Sequence, residues 1–263
     1  MSKPEALALV RPCLPPAWEA APSPIVDYLY SLRMGGSGPY RGMRHFHQLY
    51  AGTTRVIRTT NLDDVIQALE SHLDLLIATK TRQRLFVHAG VVGWDGQAIL
   101  LPGRSCSGKT TLVAALLRAG ATYYSDDYAV LDASGHVQPF PRPLSIREDP
   151  RASPRRVPAG ELAAGTGAAA LPVGLIVVTD YQPGARWRPR QLSPGQTLLA
   201  LLANTVPVRT RPGMTLSVLR QVVVQAPALK GRRGEAATVA DRLLGRCGNN
   251  LIAWSKTTRE APA

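Results

Sequence analysis

The sequence predicts an α/β protein in which a mixed sheet carries helices on its faces. Two apolar segments, residues 85–92 and 98–101, flank the turn-forming Trp94-Asp95-Gly96, a pattern typical of a β-hairpin. The second segment leads into a glycine-rich loop and then into a run of helix formers that begins at Thr111. A β-branched segment, residues 175–181, precedes three further helical patterns. Strands that alternate with helices in this way indicate the α/β class.

Length and composition are those of an ordinary globular protein. Of the 263 residues, 45% are hydrophobic, and no apolar run reaches the roughly 18 residues that a membrane span needs. The three cysteines, Cys13, Cys106 and Cys247, are too few and too scattered for a disulfide framework or a zinc site. Because the N-terminus shows no charged-then-apolar signal pattern, the expected location is the cytoplasm.

The formal net charge of +13 is concentrated in the second half of the chain. Residues 1–140 contain 13 Lys and Arg against 11 Asp and Glu, whereas residues 141–263 contain 18 against 7. A strongly basic half of the chain is compatible with binding a triphosphate, an acidic peptide or nucleic acid. Arginine supplies 26 of the 31 cations, a bias that a GC-rich genome would also produce, so nucleic acid is not favoured.

Two domains are expected. Residues 1–60 form an N-terminal extension of irregular or β structure that packs on the core, and residues 61–263 form the main domain. An amphipathic helix runs from Asn61 to about Thr81, and the helices of the second half begin near Ser193, near Leu216 and at Glu235, the last ending at Gly245. Six prolines and five arginines predict a loop over residues 139–158, which continues into a mobile segment up to residue 170.

The glycine-rich loop matches every fixed position of the phosphate-binding pattern G-x-x-x-x-G-K-[ST]. Its glycines allow backbone N–H groups to face phosphate oxygens, and the following helix N-terminus adds partial positive charge. Lys109 is expected to reach the β- and γ-phosphates of ATP, and Thr110 to bind Mg²⁺. The predicted nucleotide-binding residues are Gly103, Arg104, Ser105, Cys106, Ser107, Gly108, Lys109, Thr110 and Thr111.

An acidic pair follows the loop helix. Residues 121–132 predict a strand that carries Asp126 and Asp127. A phosphoryl-transfer site needs carboxylates for its metal and for its nucleophile.

Three segments together resemble the catalytic domain of the HPr kinase/phosphorylase family, which is related to phosphoenolpyruvate carboxykinases. They are His88-Ala89-Gly90-Val91, the glycine-rich loop and Ser125-Asp126-Asp127. His88 lies 21 positions before Lys109, and Asp126 lies 17 positions after it, spacings that fit the family. The resemblance covers residues 85–132 and implies a P-loop core of this type, with a mixed sheet and flanking helices.

The resemblance also implies roles for individual residues. Lys109 would neutralise the transferred group, and one of Asp126 and Asp127 would be the general base while the other helps to hold Mg²⁺; which does which stays open. His88 would lie near the phosphates as a catalytic residue, the alternative being a core histidine satisfied by the backbone. The predicted metal ligands are Thr110, Asp126 and Glu148.

The chain also departs from that family. Ser145 falls where the family has a metal-binding glutamate, so Glu148 or Asp149 would replace it. The glycine-rich signature that follows this point in true HPr kinases is missing, and their N-terminal domain is not recognisable. Shorter relatives with the same core phosphorylate a serine of ribosomally made peptides, such as lasso-peptide precursors.

Three functions therefore stay in view: a Ser/Thr kinase of a peptide or small protein, a kinase of a small hydroxylated metabolite, and an ATP-binding regulatory module. The expected partner is a peptide or small-protein acceptor rather than nucleic acid or membrane, and a homo-oligomer stays open. Arg147, Arg209 and Arg211 are candidates to bind a carboxylate or phosphate of the acceptor. The alternative for these arginines is a solvated basic face.

Overall fold

The computed structural model describes residues 6–16, 18–35, 45–103, 107–146, 155–162 and 165–247. The chain divides into two compact units, residues 1–80 and 81–263. The division falls after the long helix, and not at the expected boundary at residue 60, because that helix packs on strands of the first unit. None of the helices in the described part of the chain is long and apolar enough to cross a membrane.

The first unit is a three-stranded antiparallel sheet with a helix packed on it. Val65 and Leu69 of the long helix bury against Leu49 of the central strand. The helix begins as expected, because the Asn61 side chain accepts a hydrogen bond from the Asp63 N–H at 3.0 Å. The elements are α1 (Ala6–Val10), a 3₁₀ turn (Arg11–Cys13), β1 (Tyr30–Arg33), β2 (His47–Ala51), β3 (Thr54–Thr59) and α2 (Leu62–Lys80).

The second unit contains an eight-stranded mixed sheet. Its elements are β4 (Leu85–Trp94), β5 (Gln97–Pro102), α3 (Lys109–Arg118), β6 (Thr122–Ser125), β7 (Tyr128–Leu131), β8 (Val137–Gln138), β9 (Leu144–Ile146), β10 (Arg155–Val157), β11 (Val173–Tyr181), β12 (Arg190–Gln191), α4 (Pro194–Leu202), α5 (Pro212–Gln225), β13 (Ala228–Arg233) and α6 (Ala236–Cys247). The strand order is β12-β13-β11-β5-β4-β7-β8, and β6 also pairs with β4. Strand β11 lies between β5 and β13 and pairs parallel with both, whereas β4, β6, β7, β8 and β12 form antiparallel pairs.

Helices cover both faces of this sheet. Successive residues of β5 point to opposite faces, so that Ile99 and Leu101 pack with α3 and α6, whereas Ala98 and Leu100 pack with α4 and α5. The second unit is therefore an α/β fold with a mixed central sheet and flanking helices, as the sequence predicts. The hairpin between β4 and β5 and the strand β11 are confirmed.

Three local predictions were wrong. The expected strand over residues 121–132 is two strands, β6 and β7, with the acidic pair at the break between them. The expected loop over residues 139–158 contains β9 and β10, which pair antiparallel because Leu144 and Val157 bury in the core. The last helix does not end at Gly245, because Leu243 and Leu244 pack in the core and the helix continues to Cys247.

Candidate active site

The glycine-rich segment lies at the edge of the sheet where the three parallel strands end. Strand β5 ends at Pro102 and α3 begins at Lys109, so the strand–loop–helix order that the motif requires is present. Ligand sites of open α/β sheets form at this carboxyl edge. Arg104, Ser105 and Cys106 lie outside the described residues, whereas Gly103, Ser107 and Gly108 lie within them.

Two side chains meet on the carbonyl of Gly103. Lys109 Nζ donates to this oxygen at 2.8 Å, and the Nδ1 atom of His88 lies 2.9 Å from it. A carbonyl oxygen only accepts hydrogen bonds, so Nδ1 carries the proton and Nε2 is the acceptor nitrogen of the ring. Two of the four predicted catalytic residues, His88 and Lys109, therefore converge at the start of the loop.

His88 is held in place from several directions. Its ring packs edge-to-face on Tyr128, with centroids 5.5 Å apart, and its backbone N–H donates to the Asn204 carbonyl at 2.7 Å. Burial of the imidazole lowers the pKa of His88, and the nearby charge of Lys109 lowers it further. The ring is consequently neutral at pH 7.

Asp126 lies beside the first turn of α3. Its carboxyl group is 2% exposed, and the Thr110 hydroxyl donates to its Oδ2 atom at 2.8 Å. Burial raises the pKa of Asp126 to about 7 and the charge of Asp127 adds to the rise, whereas Thr110 and Lys109 oppose it. Its Oδ1 atom is buried and has no hydrogen-bond partner among the described residues.

Asp127 has the opposite environment. Its side chain is exposed, and its backbone carbonyl accepts a hydrogen bond from the Ala89 N–H at 3.1 Å, which fixes this position against β4. The two neighbouring carboxylates thus differ: one is buried against the loop helix, and the other faces solvent.

A second buried polar atom lies in the loop. The Ser107 hydroxyl oxygen is buried without a hydrogen-bond partner in the described part of the chain. It stands so close to Gly103 that a Cβ atom there would lie 2.8 Å from it. Buried polar atoms without partners are costly unless a ligand or water satisfies them, so the Ser107 and Asp126 oxygens have hydrogen-bonding capacity that the described residues leave unused.

Sequence reasoning missed one residue of this site, Arg233. The residue is 1% exposed, and its guanidinium donates from Nη2 to the Gly108 carbonyl at 2.7 Å. The only signal in the sequence is two adjacent arginines between glycines, Gly231 to Gly234, at the end of a strand. Nothing in that pattern says which arginine turns inward.

The arginines predicted to bind substrate have different environments. Arg209 is exposed and follows a segment fixed to β4 by the bridge between Val87 and Thr205. Arg211 donates to the Thr81 carbonyl and lies 3.9 Å from the Met214 sulfur, so its guanidinium is engaged within the chain. Arg147 and Glu148, the predicted substrate and metal residues of the intervening loop, lie outside the described residues.

Thr110 and Asp126 are the described members of the predicted metal site. Within the described ranges, no group of three or more His, Cys, Asp or Glu side chains is arranged to hold a metal ion. The hydroxyl and carboxylate oxygens that meet here are nevertheless the type of donor that Mg²⁺ prefers, since this ion takes one or two protein ligands besides phosphate and water. Thr111, the last predicted nucleotide-binding residue, is exposed one position further along α3.

Comparisons with known proteins find distant similarity to solved structures. No family model and no curated protein matches the chain. Among solved structures, the chain is similar to the HPr(Ser) kinase/phosphatase from Coxiella burnetii, with a TM-score of 0.32 and 13% identity over 67% of this chain and 99% of that one. At this level of similarity, no residue role or activity is transferred from that enzyme.

Proposed function

We propose that this chain is an ATP-dependent phosphotransferase that moves the γ-phosphoryl group to a Ser or Thr hydroxyl of a peptide or small protein. One observation carries the proposal: the 2.8 Å hydrogen bond between Thr110 and the buried Asp126. It brings the last fixed residue of the phosphate-binding pattern against a carboxylate that is distant in sequence. Phosphoryl transfer needs this combination of a phosphate loop and a metal-binding acid.

The residues present fit ATP and Mg²⁺. The loop backbone, the start of α3 and Lys109 supply the positive field for the phosphates. Thr110 and Asp126 would hold Mg²⁺ with their oxygens, and the unpartnered Oδ1 of Asp126 would gain a partner. The ion, when bound, supplies charge neutralisation on the phosphate oxygens.

We assign the general base to Asp127 and the metal-binding role to Asp126. Asp126 is buried and already bonded to Thr110, whereas the Asp127 carboxylate is exposed and accessible to an acceptor. The acceptor hydroxyl would give its proton to Asp127 as its oxygen bonds to the γ-phosphorus. The bond from that phosphorus to the bridging oxygen breaks at the same time, and ADP leaves.

His88 would position the loop in this scheme. Its neutral ring and the Lys109 ammonium both hold the Gly103 carbonyl, so this oxygen would stay engaged with protein donors and would not repel the phosphates. A carbonyl oxygen that pointed at a triphosphate would repel it. His88 therefore supports binding without carrying charge itself.

A peptide acceptor is favoured by the exposure of Asp127 and by the basic surface. Asp127 and Arg209 are both exposed, so a protein-bound hydroxyl could reach the base while an acidic flank meets the arginine. The rival functions differ in a measurable way. A metabolite kinase would phosphorylate small alcohols, and a regulatory module would bind ATP without transferring phosphate to an acceptor.

The test combines binding and transfer. Mg²⁺·ATP should raise the melting temperature of the purified chain, and γ-labelled ATP should label a serine-containing acidic peptide. Lys109→Ala should abolish labelling because it removes the charge that follows the moving group. Lys230→Ala, at an exposed position of β13, is the matched control and should behave as wild type.

Three outcomes would contradict the proposal. Full labelling by Lys109→Ala would remove this loop from catalysis. Labelling of small alcohols but no peptide would favour the metabolite kinase. Nucleotide binding without transfer to any acceptor would favour the regulatory module.

A further inference from the structure

A buried arginine outside every sequence motif contacts the phosphate loop. Arg233 ends strand β13, the neighbour of β11 on the side away from β5, and its side chain reaches the loop from there. Nη2 donates to the Gly108 carbonyl at 2.7 Å, and Nη1 donates to the Gly234 carbonyl at 3.0 Å. The guanidinium also lies 5.3 Å from the ring centroid of Tyr181, the last residue of β11.

The neighbouring Glu235 carboxylate attracts this guanidinium electrostatically but does not form an ion pair with it. Among the residues that the structure describes, no carboxylate lies within ion-pair distance of Arg233. Its Nε atom is buried without a hydrogen-bond partner. Burial lowers the pKa of Arg233, because the charged guanidinium loses solvation inside the protein. A buried guanidinium without a carboxylate in ion-pair contact is expensive for a fold, so its position beside an anion-binding loop requires an explanation.

The contact point explains what the arginine can do. Gly108 adopts the left-handed conformation, with φ of 84°, and stands directly before Lys109 and Thr110. Its carbonyl accepts from Arg233 and also from the Leu112 N–H at 3.2 Å, the first hydrogen bond of α3. Space around this glycine is closed, because a Cβ atom there would collide with Arg233 Nη2. Holding this one carbonyl therefore fixes both the turn of the loop and the start of the helix.

We propose that Arg233 is a positioning residue that clamps the Gly108 carbonyl, so that Lys109 and Thr110 are aimed at the bound phosphates. This proposal rests on the proposed function, which supplies the identity of the ligand that the loop binds. Its positive charge, which no carboxylate contacts at ion-pair distance among the described residues, would be balanced further when the anionic triphosphate occupies the loop. Arg233 itself touches neither phosphate nor acceptor.

The first experiment needs no nucleotide and is independent of kinase activity. Amide hydrogen exchange of residues 107–112 is compared between wild type, Arg233→Met and Arg233→Lys, well below each melting temperature. Loss of the clamp should speed exchange at Leu112 by about 10-fold or more in the Met variant, and by less in the Lys variant, while α6 is unchanged. Arg232→Met should match wild type, because Arg232 is an exposed neighbour whose side chain donates to the Gln182 side chain.

The second experiment uses Mg²⁺·ATP. Arg233→Met should raise the KM for ATP by about 10-fold or more, with partial rescue in Arg233→Lys and no change in Arg232→Met. A merely structural arginine would lower the melting temperature and leave both KM and local exchange unchanged, and that result would overturn the proposal. If Arg233→Met does not fold, wild-type exchange at residues 107–112 in Arg233→Lys would overturn it as well.

The two proposals fail separately. A wild-type chain that binds no ATP would contradict the kinase assignment, whereas the exchange comparison would still test the clamp. Faster loop exchange together with an unchanged KM would contradict the role of Arg233 in aiming Lys109.

Discussion

Asp126 and Asp127 are adjacent in sequence and alike in chemistry, yet the fold gives them opposite surroundings. The break between β6 and β7 turns one carboxyl group under the start of α3 and leaves the other exposed. Burial and the neighbouring charge of Asp127 both penalise ionised Asp126, and the Thr110 hydrogen bond only partly offsets them. Separated environments of this kind allow two carboxylates to take two roles.

The buried carboxyl group should make the stability of the free protein depend on pH. Because the pKa rises from 3.8 to about 7 on folding, the folded state binds more protons within that window, and stability falls as the pH rises through it. The loss amounts to at most about 4 kcal/mol. Asp126→Asn should remove this dependence. Its melting temperature relative to that of wild type should therefore increase as the pH rises from 4 to 7, while phosphoryl transfer is lost.

Thermal melts without nucleotide or Mg²⁺ provide the measurement. Asp180→Asn, at an exposed position of β11, serves as the control and should follow wild type at every pH. A constant offset between Asp126→Asn and wild type over this range would show that Asp126 titrates normally.

The exposed carboxylate should be needed for turnover and not for nucleotide binding. Asp127→Asn should lower kcat by about 10²-fold or more, because the acceptor hydroxyl loses its base. The affinity for Mg²⁺·ATP should stay near that of wild type, whereas Asp126→Asn should bind it less well. Titration calorimetry and steady-state kinetics separate the two effects, and the reverse pattern would exchange the assigned roles.

At the scale of elements, the site depends on a strand–loop–helix unit that is supported from both sides. His88 on β4 and Arg233 on β13 each hold a carbonyl of the loop, at Gly103 and Gly108 respectively. These contacts come from strands on opposite sides of β5 and β11 in the sheet order. Two strands of the sheet therefore hold the loop through hydrogen bonds to the carbonyls of Gly103 and Gly108.

The second glycine should not tolerate a side chain. Gly108→Ala places a Cβ atom on a backbone with φ of 84° and against the Arg233 guanidinium. We expect nucleotide-dependent stabilisation to be lost, because either the turn or the clamp must move. The measurement is the shift in melting temperature on adding Mg²⁺·ATP.

Gly213→Ala provides a matched control. Gly213 lies in the first turn of α5 with open space around its Cβ position, so alanine there should stabilise by a few tenths to about 1 kcal/mol and preserve the ATP shift. An ATP shift in Gly108→Ala as large as in this control would contradict the tight loop.

At the scale of the whole molecule, the uneven charge bears on the acceptor. The second half of the chain carries the excess of arginine, and the unit it belongs to contains the candidate active site. Arg209 is exposed at the end of a segment fixed beside His88, whereas Arg211 is engaged with the Thr81 carbonyl. Arg209 is consequently the better test of acceptor binding.

Arg209→Ala should raise the KM for an acidic peptide acceptor and leave ATP affinity unchanged. Added salt should weaken acceptor binding by wild type more than by the variant, since exposed charges are screened beyond about 8–10 Å. Arg118→Ala is the matched control, because Arg118 is exposed at the other end of α3, away from the loop. Equal acceptor kinetics for all three proteins at low and high salt would leave only a solvated basic face.

Sequence alone determined the features that depend on local pattern. Ser193 followed by Pro194 predicts the start of α4, and the structure has a full capping box there with Gln196. The hairpin of β4 and β5, the loop motif and the helix after it follow equally from turn chemistry and residue spacing. These signals lie within a few residues of what they specify.

Only the tertiary structure decided which distant groups meet. The sequence offers Asp126 and Asp127 as equals, and only the turn between β6 and β7 buries one of them against Thr110. It likewise offers Arg232 and Arg233 as equals, and the register of β13 in the sheet turns the second one inward to Gly108. The physical reason is that burial and long-range hydrogen bonds depend on how strands pack in space, and a short stretch of sequence does not encode its neighbours across the sheet.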